Sequence, residues 1–214
     1  METMRPRLKR GSRFTRTIGL TGNVGSGKST VARLLVAKGA ALVDADALAR
    51  QATDDPEVLS AIAQQLGSDL VRDGQLDRAA TAQLVFADPS ARQRLNSIVH
   101  PWVRRAMSKR VAELLASPKP PPVIILDIPL LYENELEPSV EAVIVVNASL
   151  ERRIERVTAR GMLSADEVRA RDAAQTPLAE KVARADFVVD NEGDPSRLAA
   201  QIDSLWELLA SAVG

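Results

Sequence analysis

The sequence predicts an α/β fold: a doubly wound parallel five-stranded sheet with a helical insertion domain and a helical lid. Short apolar runs at 17–21, 40–43, 123–126, 142–146 and 187–189 lack polar alternation, as expected for strands covered on both faces. Helical stretches separate them, the arrangement that builds a parallel sheet with helices on each side. A glycine-rich segment joins the first run to the helical pattern that follows, the strand–loop–helix order of a phosphate-binding unit.

The first strand is expected at 17–21, followed by a helix over 28–38 that Gly39 stops. Between the second and third runs lie about eighty residues, too many for a simple crossover. They read as almost wholly helical, over 57–66, 77–86 and 89–116, with a break near His100 and Pro101. The prolines of 118–122 make a stiff linker that returns the chain to the sheet. A second excursion over 150–185 is helical and rich in arginine, and Ser164 with Glu167 has the spacing of a capping box. A closing helix over 195–213 carries Leu198, Ile202, Leu205, Leu208 and Leu209 as one apolar face. The expected division is a basic disordered extension over 1–16, a core of 17–46, 123–149 and 186–214, a helical insertion over 47–122 and a lid over 150–185.

Composition removes several classes of function. With no cysteine, disulfides, thiolate metal sites and cysteine nucleophiles are excluded. Lys and Arg total 28, as do Asp and Glu, so no global field draws in nucleic acid or an anionic membrane, and any anion site must be local. No apolar run approaches the ~20 residues of a membrane helix, and the start lacks an apolar signal core. A soluble, unexported, cytoplasmic protein is expected, with no nucleic-acid or membrane partner and with a monomer as the expected state.

Residues 22–29, Gly-Asn-Val-Gly-Ser-Gly-Lys-Ser, match the phosphate-loop pattern in full between an expected strand and an expected helix, the signature of a P-loop NTPase. Gly22, Gly25 and Gly27 let the loop turn its backbone N–H groups inward around Ser26, and the helix behind adds partial positive charge. Lys28 brings a full charge to the β- and γ-phosphates of ATP, the Ser29 hydroxyl is placed to ligate Mg²⁺, and Thr30 reaches the α-phosphate.

Three further groups carry candidate chemistry. Asp44 and Asp46 follow the second strand; Asp46 either accepts a proton from an attacking hydroxyl or caps the next helix. Asp127 ends the third strand in the position of a Walker B acid that holds Mg²⁺ through water, or else is a turn residue beside a cis-compatible Ile128–Pro129 step. Among the lid arginines, Arg156 and Arg160 share a helix face and suit the spread charge of a transferring phosphoryl group. His100, the single histidine, sits at a helix junction, where it binds substrate or donates to a carbonyl; alone it makes a poor metal ligand.

With residues 22–30, Asp44-Ala45-Asp46, His100-Pro101 and Pro129-Leu130-Leu131-Tyr132-Glu133 in order, the sequence resembles the dephospho-coenzyme A kinase family. The resemblance covers roughly 17–206, with echoes in 73–78, Val85-Phe86, Gln175, 185–187 and Asp190-Asn191. It implies transfer of the ATP γ-phosphoryl group to the ribose 3′-hydroxyl of dephospho-coenzyme A, with Asp46 as base, Arg50 on the substrate side, and His100 and Arg104 near the acceptor. Two departures stand out: Asn23 and Val24 replace the more usual Gly-Ile of the loop, and the basic extension is extra. The rivals are another small-molecule kinase with a different acceptor pocket, and a nucleotide switch, for which no Asn-Lys-x-Asp motif is present.

Overall fold

A computed structural model describes residues 15–211. The expected disordered extension lies outside the described residues up to residue 14; Thr15 and Arg16 are ordered, and the first strand β1 (Arg16–Thr21) starts one residue earlier than its apolar run suggests. Two compact units divide at 43/44 and 113/114.

The first unit is the sheet. After β1 come α1 (Lys28–Ala37) and β2 (Ala41–Asp44); β5 (Val123–Asp127), β6 (Ala142–Asn147) and β7 (Phe187–Asp190) lie later in the chain, and α6 (Leu150–Ala159), α7 (Ala165–Ala173), α8 (Leu178–Arg184) and α9 (Pro195–Ala210) complete the unit. The strands stand in the order β2-β5-β1-β6-β7. β1 is central and parallel to both neighbours, with Leu20 opposite Asp127 on one side and Ile144 on the other. That register matters, because it brings the carboxyl end of β5 level with the end of β1, where the glycine-rich loop departs.

Strand alternation sorts the side chains of β1 between two layers. Ile18 and Leu20 join Val31, Leu35, Ile144, Ile202 and Leu209 in one buried cluster formed with α1 and α9. Gly19 faces the other way, where a Cβ would stand 2.6 Å from Leu131 Cδ1, so the glycine lets this side chain of the segment after β5 pack directly on the sheet. The closing helix follows its expected apolar face except at Leu208, which is 55% exposed while Leu198, Ile202, Leu205 and Leu209 are buried. Ser164 and Glu167 form the expected capping box at the start of α7.

The second unit holds α2 (Ala45–Ala52), α3 (Pro56–Gln65), a hairpin of β3 (Val71–Arg72) and β4 (Gln75–Leu76), α4 (Arg78–Ala87) and α5 (Pro89–Leu115). One expectation is corrected here and one is refined. The expected helical stretches form, but the part between them that carried no strand expectation holds a hairpin: Asp73 and Gly74 both take positive φ, 51° and 73°, and close a two-residue turn between antiparallel strands. Helix α5 does not break near His100. It runs through Pro101, and the turns on either side are anchored by buried Val99, Val103 and Met107, which offset the roughly 3 kcal/mol that an interior proline costs. Asp55 holds the start of α3 by accepting from the amides of Glu57 and Val58, and its second oxygen accepts from Trp102 Nε1 at 2.9 Å, tying α3 to α5.

Ile202 is 1% exposed against the sheet, so Ile202→Ala is expected to cost about 2–5 kcal/mol in denaturant unfolding, whereas Leu208→Ala on the same helix should change stability by about 0.5 kcal/mol or less.

Candidate active site

The loop after β1 is shaped by backbone rather than by side chains. Gly25 (φ 79°) and Gly27 (φ 93°) occupy the left-handed region, and each also lacks room: a Cβ on Gly25 would stand 2.7 Å from the Arg153 carbonyl oxygen, and one on Gly27 would collide with the Asn191 amide. Within the arch the Ser26 amide donates to the Asn23 carbonyl at 3.1 Å. Lys28, the first residue of α1, turns its ammonium back to donate to the Gly22 carbonyl at 3.1 Å. Gly27 caps α1 without a side-chain bond and the first turn carries no acid, so this helix start keeps the positive end of its dipole uncompensated. Such an end takes an anion as its cap.

The outer side of the arch is held by α6, α7, the α7–α8 connection and the segment after β7. Asn23, fully buried, donates to Asp172 at 2.6 Å; the Val24 amide donates to Gln175 Oε1 at 3.1 Å; Asn191 donates to the Ser26 carbonyl at 2.8 Å. Arg156 donates to the Asn191 carbonyl at 2.6 Å, and its other terminal nitrogen lies 4.0 Å from the Cβ position of Gly27. The expected pair therefore divides: Arg156 stands half-buried at the loop, while Arg160 is the exposed C-cap of α6. Arg153, which carried no special expectation, is the buried arginine of the row and pairs with Asp172 at 2.6 Å.

Behind this layer lies a second buried pair. Lys181 is fully buried with its ammonium 2.7 Å from Glu133, which also accepts from the Thr176 amide at 2.9 Å. Burial pushes the Glu133 carboxyl upward, but the bonds from Lys181 and the Thr176 amide outweigh it and hold the group below the usual glutamate range.

Asp127 ends β5, and the next residue, Ile128, donates its amide to the Leu20 carbonyl at 3.0 Å. No cis peptide bond occurs among the described residues, so the Ile128–Pro129 step is trans; the Pro129 carbonyl accepts from the Thr21 hydroxyl at 3.1 Å. Ser29 is exposed in the first turn of α1, and Thr30 follows it with its amide on the Gly27 carbonyl. In the second unit, the helix cap weighed for Asp46 is made by Asp44, which accepts from the Ala47 amide at 2.9 Å. Asp46 lies exposed in the first turn of α2, with Arg50 exposed one turn on. His100 is half-buried in α5; burial, then the charge of Arg104 one turn on, lower its pKa, so it is neutral at pH 7. Of the residues that hold the arch, Gln175 and Asn191 appear in the sequence only as family echoes and Asn23 only as a departure. Asp172 and Arg153 carry no signal, because nothing local says which of many charges is buried.

The family model described as dephospho-CoA kinase matches residues 16–196. A dephospho-CoA kinase of Anaeromyxobacter dehalogenans is 50% identical over 192 residues, which is 89% of this chain and 90% of the relative. One from Deinococcus radiodurans is 46% identical over 88% of this chain and 90% of its own. A crystal structure from Thermus thermophilus superposes with a TM-score of 0.79 at 40% identity, covering 92% of this chain and 98% of the other.

The buried pair sets a pH dependence. The depressed carboxyl of Glu133 contributes stability that is fully present above the unfolded pKa of about 4.5 and is lost as pH falls through the lower folded value. Glu133→Gln leaves the Lys181 charge buried without its carboxylate and is expected to cost about 3–5 kcal/mol at pH 7. The gap to the parent should narrow in unfolding curves taken at pH 3–4.

Proposed function

The chain belongs to the dephospho-CoA kinase family, and on that premise we propose how its residues divide the work of the reaction. The activity is that of an ATP-dependent kinase acting at the last step of coenzyme A biosynthesis. One observation carries the assignment of the phosphate-handling residues: a glycine-shaped arch that opens an uncapped helix with Lys28 at its first position.

In this reading ATP lays its phosphates on residues 25–30, with Gly22 shaping the entry to the arch. Lys28 neutralises charge on the β- and γ-phosphates, and Arg156 and Arg160 take up the charge of the transferring phosphoryl group. Asp46 receives the proton of the ribose 3′-hydroxyl. As the new bond from the 3′-oxygen to the γ-phosphorus forms, the bond from that phosphorus to the bridging oxygen breaks, and its electron pair leaves on ADP. Arg50, His100 and Arg104 are proposed to hold the acceptor, the neutral imidazole as a hydrogen-bonding partner and the arginines toward its phosphates. Residues 150–185 are proposed to act as the lid over the phosphates and 47–122 as the acceptor-binding part.

The residues fit Mg²⁺: an exposed Ser29 hydroxyl on α1 and the Asp127 carboxylate at the end of β5 are both hard oxygen donors. Among the described residues no group of three acids or histidines offers a dedicated metal cage, which suits an ion held mainly by substrate phosphates and water. When bound, Mg²⁺ neutralises charge on the phosphates. No helix among the described residues is long and apolar enough to cross a membrane, and the proposed setting is the cytoplasm, as a monomer without nucleic-acid partners.

The test is ADP release measured with dephospho-coenzyme A and with a panel of other acceptor alcohols, of which only the first should drive turnover. Asp46→Asn is expected to bind ATP normally and lose about a hundredfold or more in kcat; Lys28→Ala should weaken nucleotide binding itself. Turnover of Asp46→Asn near the parent rate would remove Asp46 from the role of base.

A further inference from the structure

The arch of the phosphate loop makes its outward contacts with charged and amide side chains that the transfer reaction does not use. Asn23 is fully buried and its Nδ2 bonds Asp172 at 2.6 Å, with a longer bond of 3.4 Å to the Thr176 carbonyl. The Arg153 side chain is 4% exposed; its Nη1 meets the same Asp172 oxygen at 2.6 Å and the Val24 carbonyl at 3.4 Å, while its Nε donates to the Ala148 carbonyl at 3.1 Å. Gln175 takes the Val24 amide. Residues 23 and 24 thus have a side chain, an amide and a carbonyl all fixed from outside, and the loop residue beyond them, Gly25, packs on the Arg153 backbone.

This arrangement has a directional effect. A glycine-rich loop loses much backbone freedom when it closes on a ligand, at about 1–2 kcal/mol per residue. Bonds that fix the arch beforehand remove part of that cost from the binding step, the general basis of preorganisation. The Val24 amide is committed to Gln175 and cannot serve a phosphate, so the anion falls to the groups from Gly25 onward. Burial opposes the charge on Asp172, but Arg153 and Asn23 outweigh it and keep its pKa below the usual aspartate range, so the pair stays ionised at neutral pH.

We propose that Asn23, Arg153 and Asp172 form a buried latch that positions the phosphate loop for ATP, acting through residues 23–25 and not by touching the nucleotide. They are positioning residues, and the proposal rests on the loop being the ATP site. Asn23 gives it particular weight, because its amide reaches Asp172 directly and ties this chain's own loop sequence to a partner about 150 residues away.

The experiment measures KM for ATP with magnesium, KM for dephospho-coenzyme A, kcat and Tm in four variants. Asn23→Ala removes only the uncharged tie; it is expected to raise KM for ATP about five- to tenfold, with kcat and the acceptor KM within about twofold of the parent. The double variant Arg153→Met with Asp172→Leu removes both buried charges at similar volume. Apolar replacement of a buried ion pair is tolerated while Asn23 loses its short bond to Asp172, so Tm should fall only by a few degrees, yet the same rise in ATP KM should appear. Adding Asn23→Ala to that double variant should give no further rise, since the tie has already lost its acceptor. A merely structural pair would move Tm and leave KM unchanged, and that outcome in the first two variants overturns the latch. Lys28→Ala separates the two readings: if it raises KM for ATP while the latch variants do not, only the latch falls. If it too leaves ATP handling untouched, the loop is not the ATP site and both readings fall.

Discussion

An uncapped helix start is the constraint on which the rest of this structure depends. Helices α2, α3, α4 and α9 satisfy their first amides with a side chain, Asp44, Asp55, Asp77 and Asp194 each accepting one or two, whereas α6, like α1, opens without such a bond. Helix α1 alone among these opens on a left-handed glycine with no side-chain cap and a lysine at its first position. A helix start of this kind has first-turn amides that no side chain of its own cap takes up. It becomes a source of binding energy once an anion is seated there. The parallel register of β5 with β1 then puts a carboxylate, Asp127, level with the end of β1 from which the loop departs.

Holding such a loop requires rigidity that the loop itself lacks. Glycines give the arch its shape and at the same time the greatest freedom to leave it. The chain answers with two buried ion pairs stacked behind the arch, Arg153 with Asp172 and Lys181 with Glu133. Pairs of this sort contribute little net stability compared with apolar packing, since desolvation consumes most of the attraction. What they supply is a defined arrangement: each carboxylate accepts from amide donors that fix where the neighbouring segment lies, Asn23 on Asp172 and the Thr176 amide on Glu133.

The sheet was legible in the sequence because burial on both faces leaves an unbroken apolar run, and all five runs became strands within a residue or two of their expected limits. The phosphate loop was legible because its chemistry requires particular residues at fixed spacing. The hairpin was not, although Asp73-Gly74 is a strong turn dipeptide, since strands of two residues carry no alternation to read. The continuity of α5 was likewise hidden: a proline's local cost is visible in the sequence, but the buried side chains that offset it are visible only after folding.

The arginine row of α6 shows why a site can be read from sequence in kind and not in detail. Arg152, Arg153, Arg156 and Arg160 are alike as letters, and a rule of four-residue spacing selects Arg156 and Arg160 together. The fold gives them separate environments: Arg152 pairs in solvent with Glu155, Arg153 is buried on Asp172, Arg156 stands against the loop through Asn191, and Arg160 ends the helix in the open. The difference comes from what packs on each face, namely the segment after β7 and the α7–α8 connection, both distant in sequence. Charge alone therefore marks the helix as a candidate for phosphate handling, while the partner that desolvates each guanidinium decides which of them faces the loop and which faces solvent.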